Sequence, residues 1–399
     1  MNPGRRQWLR RGLVCGLTCG LTRGLKLGTA GGLAARMVDG LAQTPTPQAP
    51  PAGLAPDDDR IAPDRALRFP RDHGAHPGAR TEWWYATGWL QAPGGGLWGF
   101  QLTFFRSRTG MAESLPGRFA PRQLLFAHAA VTDVAGQRHH HAQRISRWSG
   151  DEGLPEAHAA RADTGLVIGR WALQREPGGS YTSLLAAPEA GFTLAVTLVP
   201  SQPLLLQGEA GYSRKGPGSA QASLYYSQPQ LAVQARLTVA GRSLALAGRG
   251  WLDHEWSDTL LAPGATGWDW IGINLADGGA LTAFVLRRAD GSVLWAGGSH
   301  RPAGAALRVF GPDEVVFKPL RHWASPTTGA RYPVQWQIST PAGQFELRAL
   351  LDAQELDSRA STGTVYWEGL AELLDGRGSR LGLGYLEMTG RAQALRLGA

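Results

Sequence analysis

Apolar positions in this chain recur in short runs with a period of two. Residues 97–105 (Leu-Trp-Gly-Phe-Gln-Leu-Thr-Phe-Phe), 192–198, 231–237, 281–286 and 334–338 alternate or run apolar, and each stops at Gly, Pro, Ser or Asp. Such stops suit turns, and a period of two over so few residues marks strands with a buried face. Few stretches sustain a helical period, so the pattern predicts an all-β chain. Residues 113–125 and 352–361 break the alternation and are expected as short helix or irregular loop.

The pattern repeats. Trp84 to Leu90, a Gly-rich turn and Phe100 to Arg106 echo Trp268 to Leu275, the turn Asp277-Gly278-Gly279 and Leu281 to Arg287, each a strand, hairpin turn and strand ending on arginine. The two copies also close alike: Tyr225-Tyr226 opens a passage ending Gly250-Trp251-Leu252-Asp253, and Tyr366-Trp367-Glu368 opens one ending Gly384-Tyr385-Leu386-Glu387. Two tandem antiparallel β-barrels are expected, 64–250 and 251–399, packed at a seam. Closure removes exposed strand edges, and sites favour barrel mouths and domain seams.

The N-terminus is of another kind. Arg5-Arg6-Gln7-Trp8-Leu9-Arg10 opens a Gly/Leu-rich stretch of the sort that directs twin-arginine export, so residues 1–42 are expected to be a signal peptide and 43–63 a Pro/Ala-rich linker. Arg23 and Lys26 interrupt the apolar run and leave it short of the roughly 20 residues a spanning helix needs. A periplasmic or secreted protein is expected. The leader also explains most of the charge. It holds seven bases against Asp39, and removing that excess of six from the chain's +8 leaves +2. That is too little for a broad nucleic-acid-binding face. Both cysteines, Cys15 and Cys19, lie there too, so the rest of the chain has no disulfide and no thiolate ligand.

Charge reappears where a core is expected. Asp253, His254 and Glu255 stand side by side between Trp251 and Trp256. Buried carboxylates persist only if they pair, protonate or meet a ligand, which makes these three the candidate catalytic residues. The alternative is a structural Asp-His pair stapling two strands. Neighbours on a strand face opposite ways, so Asp253 and Glu255 are expected on one side and His254 on the other. That spacing, with no His-Glu-x-x-His, argues against a metal hydrolase, and no metal is expected. No nucleophile elbow and no phosphate or dinucleotide fingerprint is present either, so no cofactor is expected. His139-His140-His141 reads as a solvated hairpin arm.

Longer motifs carry a resemblance. His76, Glu82-Trp83-Trp84-Tyr85-Ala86-Thr87-Gly88, Phe104-Phe105-Arg106, His128, Gln207 to Gly216, Tyr225-Tyr226-Ser227, Asp253 to Trp256, Gly267 to Trp270, Tyr366 to Gly369 and Gly384 to Glu387 resemble, in order, the secreted lipocalin-like proteins of the AttH and CrtC type. The resemblance implies two lipocalin-like barrels. It also implies a range of functions: carotenoid 1,2-hydratases, fungal cyclases that shape polyenes, and exported members described as predicted hydrolases. In the hydratases the acid–base residues lie around the seam, in a motif like Asp253 to Trp256, where this chain carries Glu255 in place of a more neutral residue.

Hydration of an isolated alkene needs a proton donor, a water and stabilisation of a cation, and no cofactor. Asp253 is the candidate donor, and Trp251, Trp256, Trp268 and Trp270 are candidates to face the cation. Glu82, Trp84, Tyr85, Arg106, Tyr226, Tyr366, Trp367 and Glu368 complete the expected ligand-binding set, Glu82 and Glu368 as second carboxylates lining a cavity or capping strand ends. The expected ligand is a long hydrophobic molecule, a terpenoid or lipid, handled by a monomer. The competing expectation is a non-catalytic periplasmic carrier working with an ABC-type membrane transporter.

Overall fold

The computed structural model describes residues 59–395, apart from 112, 116, 118 and 152–155. The expected leader and residues 43–58 of the expected linker lie outside the described residues. The chain opens with β1 (Thr81–Gln91), β2 (Leu97–Arg108), β3 (Gln123–Asp133), β4 (Arg138–Trp148), β5 (Ala157–Ala159) and β6 (Gly165–Ile168). It continues through β7 (Trp171–Arg175), β8 (Tyr181–Ala187), β9 (Phe192–Val199), β10 (Leu205–Leu206), β11 (Tyr212–Arg214), β12 (Ala222–Val239) and β13 (Arg242–Ser257). The second half begins with β14 (Gly267–Leu275), β15 (Ala280–Arg287), β16 (Val293–Arg301), β17 (Arg308–Phe310) and β18 (Val316–Ala324). It ends with β19 (Arg331–Thr340), β20 (Gly343–Ala349), β21 (Glu355–Ser358), β22 (Thr364–Leu374) and β23 (Arg380–Met388). Among the described residues there is no α-helix, only short 3-10 turns such as Arg71–His73.

The all-β expectation holds, and two sheets account for it. The first has thirteen strands in the order β4-β3-β2-β1-β13-β12-β9-β8-β7-β6-β5, with β10 and β11 on β12. Its end strands β4 and β5 meet, which nearly closes it into a barrel. The second has ten strands in the order β17-β16-β15-β14-β23-β22-β20-β19-β18, with β21 on β22. In both, the first strand of the opening hairpin pairs with the last strand of its own sheet, β1 with β13 and β14 with β23. The repeat read in the sequence is this shared arrangement. The boundary lies elsewhere than residue 250: β13 carries Trp251 to Ser257 within the first sheet, because these residues pair with Thr81 to Thr87 of β1. Residues 123–125 and 355–358, expected outside strands, are strand in β3 and β21, each paired with a neighbour that supplies the missing regularity.

Burial follows what each face meets. From Leu231 to Val239, β12 alternates buried and exposed residues, as expected of a wall with core on one side and water on the other. In contrast, β22 is buried at every residue, and so is β13 from Gly250 to Ser257. One face of each looks into its own sheet's core and the other onto the opposite sheet, and the described residues form one compact unit. A bulge in β12 helps lock the sheets. Gln230, at φ 57°, accepts no ladder position between Gln228 and Leu231. Instead its backbone N–H donates to Asn274 Oδ1 at 2.7 Å, and its amide donates to the carbonyls of Leu275 and Gly279.

Candidate functional site

The two doubly buried strands face each other across a cavity of about 110 Å³, several times what one water needs. Alternation decides what each strand contributes. From the first sheet, Trp83 and Tyr85 of β1, Tyr225 of β12 and Asp253 and Glu255 of β13 point into it; from the second come Trp268, Trp270, Phe284, Tyr366, Glu368 and Glu387. Phe105, Leu260, Leu261 and Leu286 add apolar wall.

Asp253 is fully enclosed and meets only neutral donors. Ser227 Oγ and Trp251 Nε1 donate to Oδ1 at 2.5 and 2.7 Å, and the Tyr225 hydroxyl donates to Oδ2 at 2.8 Å. Burial pushes its carboxyl up to about 7 against the downward pull of those three hydrogen bonds, and the Glu255 charge adds to the rise. Glu255 instead pairs with Lys215 at 3.1 Å. Glu368 and Glu387 stand directly opposite each other on β22 and β23. Burial and the neighbouring Glu387 charge raise Glu368, and burial with the charges of Asp253 and Glu255 raises Glu387. His128 cannot act as a charged partner here. Its nitrogens bond the Tyr366 hydroxyl at 2.7 Å and Ser361 Oγ at 2.8 Å, and burial lowers it to about 3.

The other face of the same β1–β13 wall looks into the first barrel and holds a second ionic group. Glu82 Oε1 accepts from His76 Nδ1 at 2.7 Å and from His254 Nε2 at 2.9 Å, while Oε2 accepts from Arg106 Nε at 2.8 Å. Arg106 spends its remaining donors on Gln123 and on the carbonyls of His76 and Ala79. The far nitrogen of His76 meets Asp72, itself bonded to Arg65. Burial would push Glu82 up, but Arg106 and His76, with the bonds from both histidines, hold it well below the usual carboxylate range. Burial in turn lowers His254 to about 4. Trp256 stacks on His76 at 3.7 Å and Trp84 on His254 at 4.5 Å.

Among the described residues, His76, Glu82 and His254 bring three potential ligand atoms within 4.8 Å of one another. The chemistry of the set fits a staple better than a cation site. Glu82 Oε1 is already shared between the two imidazoles, and the Arg106 guanidinium beside it would repel a metal.

The structure therefore divides the expected residues. Tyr85, Asp253, Glu255, Trp268, Trp270, Tyr366 and Glu368 gather at the cavity, with Trp251 directly behind Asp253. Glu82, Trp84, Arg106, Tyr226, His254 and Trp256 lie across the wall, in the barrel interior, as period-two alternation requires. His254 thus stands apart from Asp253 and Glu255, as the strand geometry predicted. Trp367 belongs to neither group: it packs in the second sheet's core and donates to the Asp352 carbonyl at 2.7 Å. Glu387, Tyr225, Lys215 and His128 had been given no role. Alternation carried the signal for Tyr225, which pairs with Glu255 across β12 and β13 and must share its face. The repeat carried it for Glu387, which occupies in the second copy the place of Asp253 in the first.

The sequence model of the AttH-like family matches residues 60–391. A crystal structure of an AttH-type protein of Nitrosomonas europaea is 46% identical, covers 83% of this chain and 99% of its own, and superposes with a TM-score of 0.76. The crystal structure of kievitone hydratase from Nectria haematococca shares the fold at 14% identity, with a TM-score of 0.64 over 84% of this chain and 98% of its own. No curated protein matches the sequence.

Proposed function

The chain belongs to the AttH-like family, and from that premise we propose that the cavity between its two sheets binds an apolar molecule, a terpenoid or lipid, and performs acid–base chemistry of the hydratase or hydrolase type without a cofactor. The observation that carries the reading is Asp253, an acid held near neutrality in an aromatic cavity with no cation bonded to it. Such a group holds a transferable proton at physiological pH.

In a hydration, the Asp253 proton passes to one alkene carbon, and the other carbon takes up positive charge. The indoles of Trp268 and Trp270 and the ring of Phe284 supply π faces to that carbon, each contributing about 0.5–2 kcal/mol. Water oxygen then bonds to the cation and its proton returns to the Asp253 carboxylate, so the acid is regenerated. Trp251, Ser227 and Tyr225 stabilise the carboxylate in the interval through the hydrogen bonds they already make. On the strength of the Arg5-Arg6 leader, we place this activity in the periplasm or outside the cell.

The test compares the protein lacking residues 1–42 with its Asp253→Asn variant. Both are incubated with extracted membrane lipids and terpenoids, and water addition or ester cleavage is followed by mass spectrometry. Turnover by the unmodified protein and none by the variant supports the reading. Binding without turnover by either would replace it with a carrier that hands its ligand to an ABC-type membrane transporter.

A further inference from the structure

Resting on the seam cavity as a binding site, the geometry points to its ligand class: an apolar molecule ending in a neutral hydroxyl or carbonyl oxygen, seated against Glu368, Glu387 and Tyr85, with carboxylates and phosphates of the same skeleton turned away. Three observations meet in this assignment.

The first is the charge inventory. The cavity is lined by the acids Asp253, Glu255, Glu368 and Glu387, and by one cation, Lys215. Lys215 is already committed. Its ammonium lies 3.1 Å from Glu255 and over the rings of Tyr225 and Phe284, at 4.6 and 4.4 Å. An anionic headgroup would enter a cavity of acids with no free positive charge to meet it, and like charges forced together are strongly disfavoured.

The second is a pair of idle polar atoms. Glu368 Oε1 and the Tyr85 hydroxyl are buried on the cavity wall and lie near one another, yet neither has a hydrogen-bond partner within 3.5 Å. Buried polar groups are nearly always satisfied, and two orphans on one cavity wall mark where a ligand oxygen or an ordered water completes the set. A hydroxyl both donates and accepts, and a carbonyl accepts from the Tyr85 O–H; either satisfies what is left open.

The third comes from the repeat. In the first copy the residue opposite Asp253 is Ser227, whose hydroxyl donates to it at 2.5 Å. The equivalent pair in the second copy is Glu368 opposite Glu387. A donor has been replaced by a second acid, so the pair is quiet only when it holds a proton. Burial, which raises both carboxyls, and the carboxylate charges around them, Glu387 for Glu368 and Asp253 with Glu255 for Glu387, favour that protonated form. A protonated acid is a hydrogen-bond donor suited to an alcohol or ketone oxygen.

The test uses three ligands of one chain length, dodecan-1-ol, dodecanoate and dodecylamine, titrated at pH 8 into the protein lacking residues 1–42 by tryptophan fluorescence and calorimetry. The alcohol is expected to bind about tenfold or more tightly than the carboxylate. In a Glu368→Gln/Glu387→Gln variant that gap should shrink to about twofold, because the repelling charge is gone while shape is kept. Should the double variant fold poorly, Glu387→Gln alone should narrow the gap in the same direction. Equal or tighter binding of dodecanoate, or binding of dodecylamine tighter than that of the alcohol, would overturn this assignment and leave the cavity reading standing. Binding of none of the three would overturn both.

Discussion

Asp253 and His254 are joined by one peptide bond and serve two different compartments. The Asp253 carboxyl lines the cavity between the sheets, whereas His254 donates to Glu82 at 2.9 Å inside the first barrel. The two side chains are separated by the thickness of the β1–β13 wall, so substitutions at adjacent positions should have unrelated effects.

For Asp253 the expected effect is a change in how stability responds to pH. Its carboxyl titrates near 3.8 when unfolded and near 7 when folded, so the fold favours the protonated form. That contribution is complete below about pH 4, declines as pH rises, and is gone above about pH 7. Asn does not titrate. The melting temperature of Asp253→Asn minus that of the unmodified protein should therefore rise between pH 4 and pH 7 and level off beyond, by an amount equivalent to a few kcal/mol. Groups that Asp253 does not influence, such as His128, titrate in both proteins and cancel in the difference, while Glu387, which burial and the Asp253 charge raise, is raised less in the variant and so moves the difference in the same direction. A flat difference would return Asp253 to the ordinary carboxylates.

Across the wall, Glu82→Gln should act on stability. It leaves the buried Arg106 guanidinium without its carboxylate. Removing one partner of such a pair costs about 3–5 kcal/mol. The unfolding midpoint in urea should fall accordingly, and ligand affinity measured below that midpoint should stay within about twofold. A midpoint unchanged by the substitution would show the network to be dispensable.

Gly272 sits on β14 where a Cβ would strike the Trp270 ring and lie 3.2 Å from Trp251. Gly272→Ala should displace Trp270 toward the cavity, lower stability by about 1–3 kcal/mol and weaken binding of apolar ligands. Fluorescence titration and a melting curve on one sample check both parts. Unaltered affinity would mean that Trp270 is not a wall of the binding site.

Replacing Arg5 and Arg6 by Lys should hold the full-length protein in the cytoplasm, as expected of a twin-arginine leader. Cell fractionation followed by immunoblotting reads the outcome, and undiminished export would overturn the assignment of residues 1–42.

The sequence carried the fold further than the site. Period-two alternation and the repeated hairpins disclosed the strands and the matching halves, because both are local patterns. The same alternation separated His254 from Asp253. What it could not disclose was which face of each strand looked outward from its own sheet's core. Tyr225 and Tyr226 are equally aromatic, yet only Tyr225 reaches Asp253, while Tyr226 lies 3.2 Å from His254. Trp367 sat in a motif beside Glu368 and so looked like its partner, but the pleat turned it into the second core. Long-range arrangement also hid the halving point. The boundary at residue 250 cuts through a passage that the repeat itself closes at Asp253, and Trp251 to Ser257 belong to β13, buried on both sides.

Residues 258–266 span from the end of β13 to the start of β14, and Thr259, Leu260 and Leu261 line the cavity as they do so. Connections between sheets ordinarily tolerate insertions and make good sites for nicking or grafting. This one does not have that freedom, since its length sets both how the halves are tethered and how the cavity between the sheets is roofed. Engineers wishing to permute the chain or splice a reporter into it should choose an outer turn, such as the one at Ala240-Gly241 between β12 and β13, and leave this bridge at its native length.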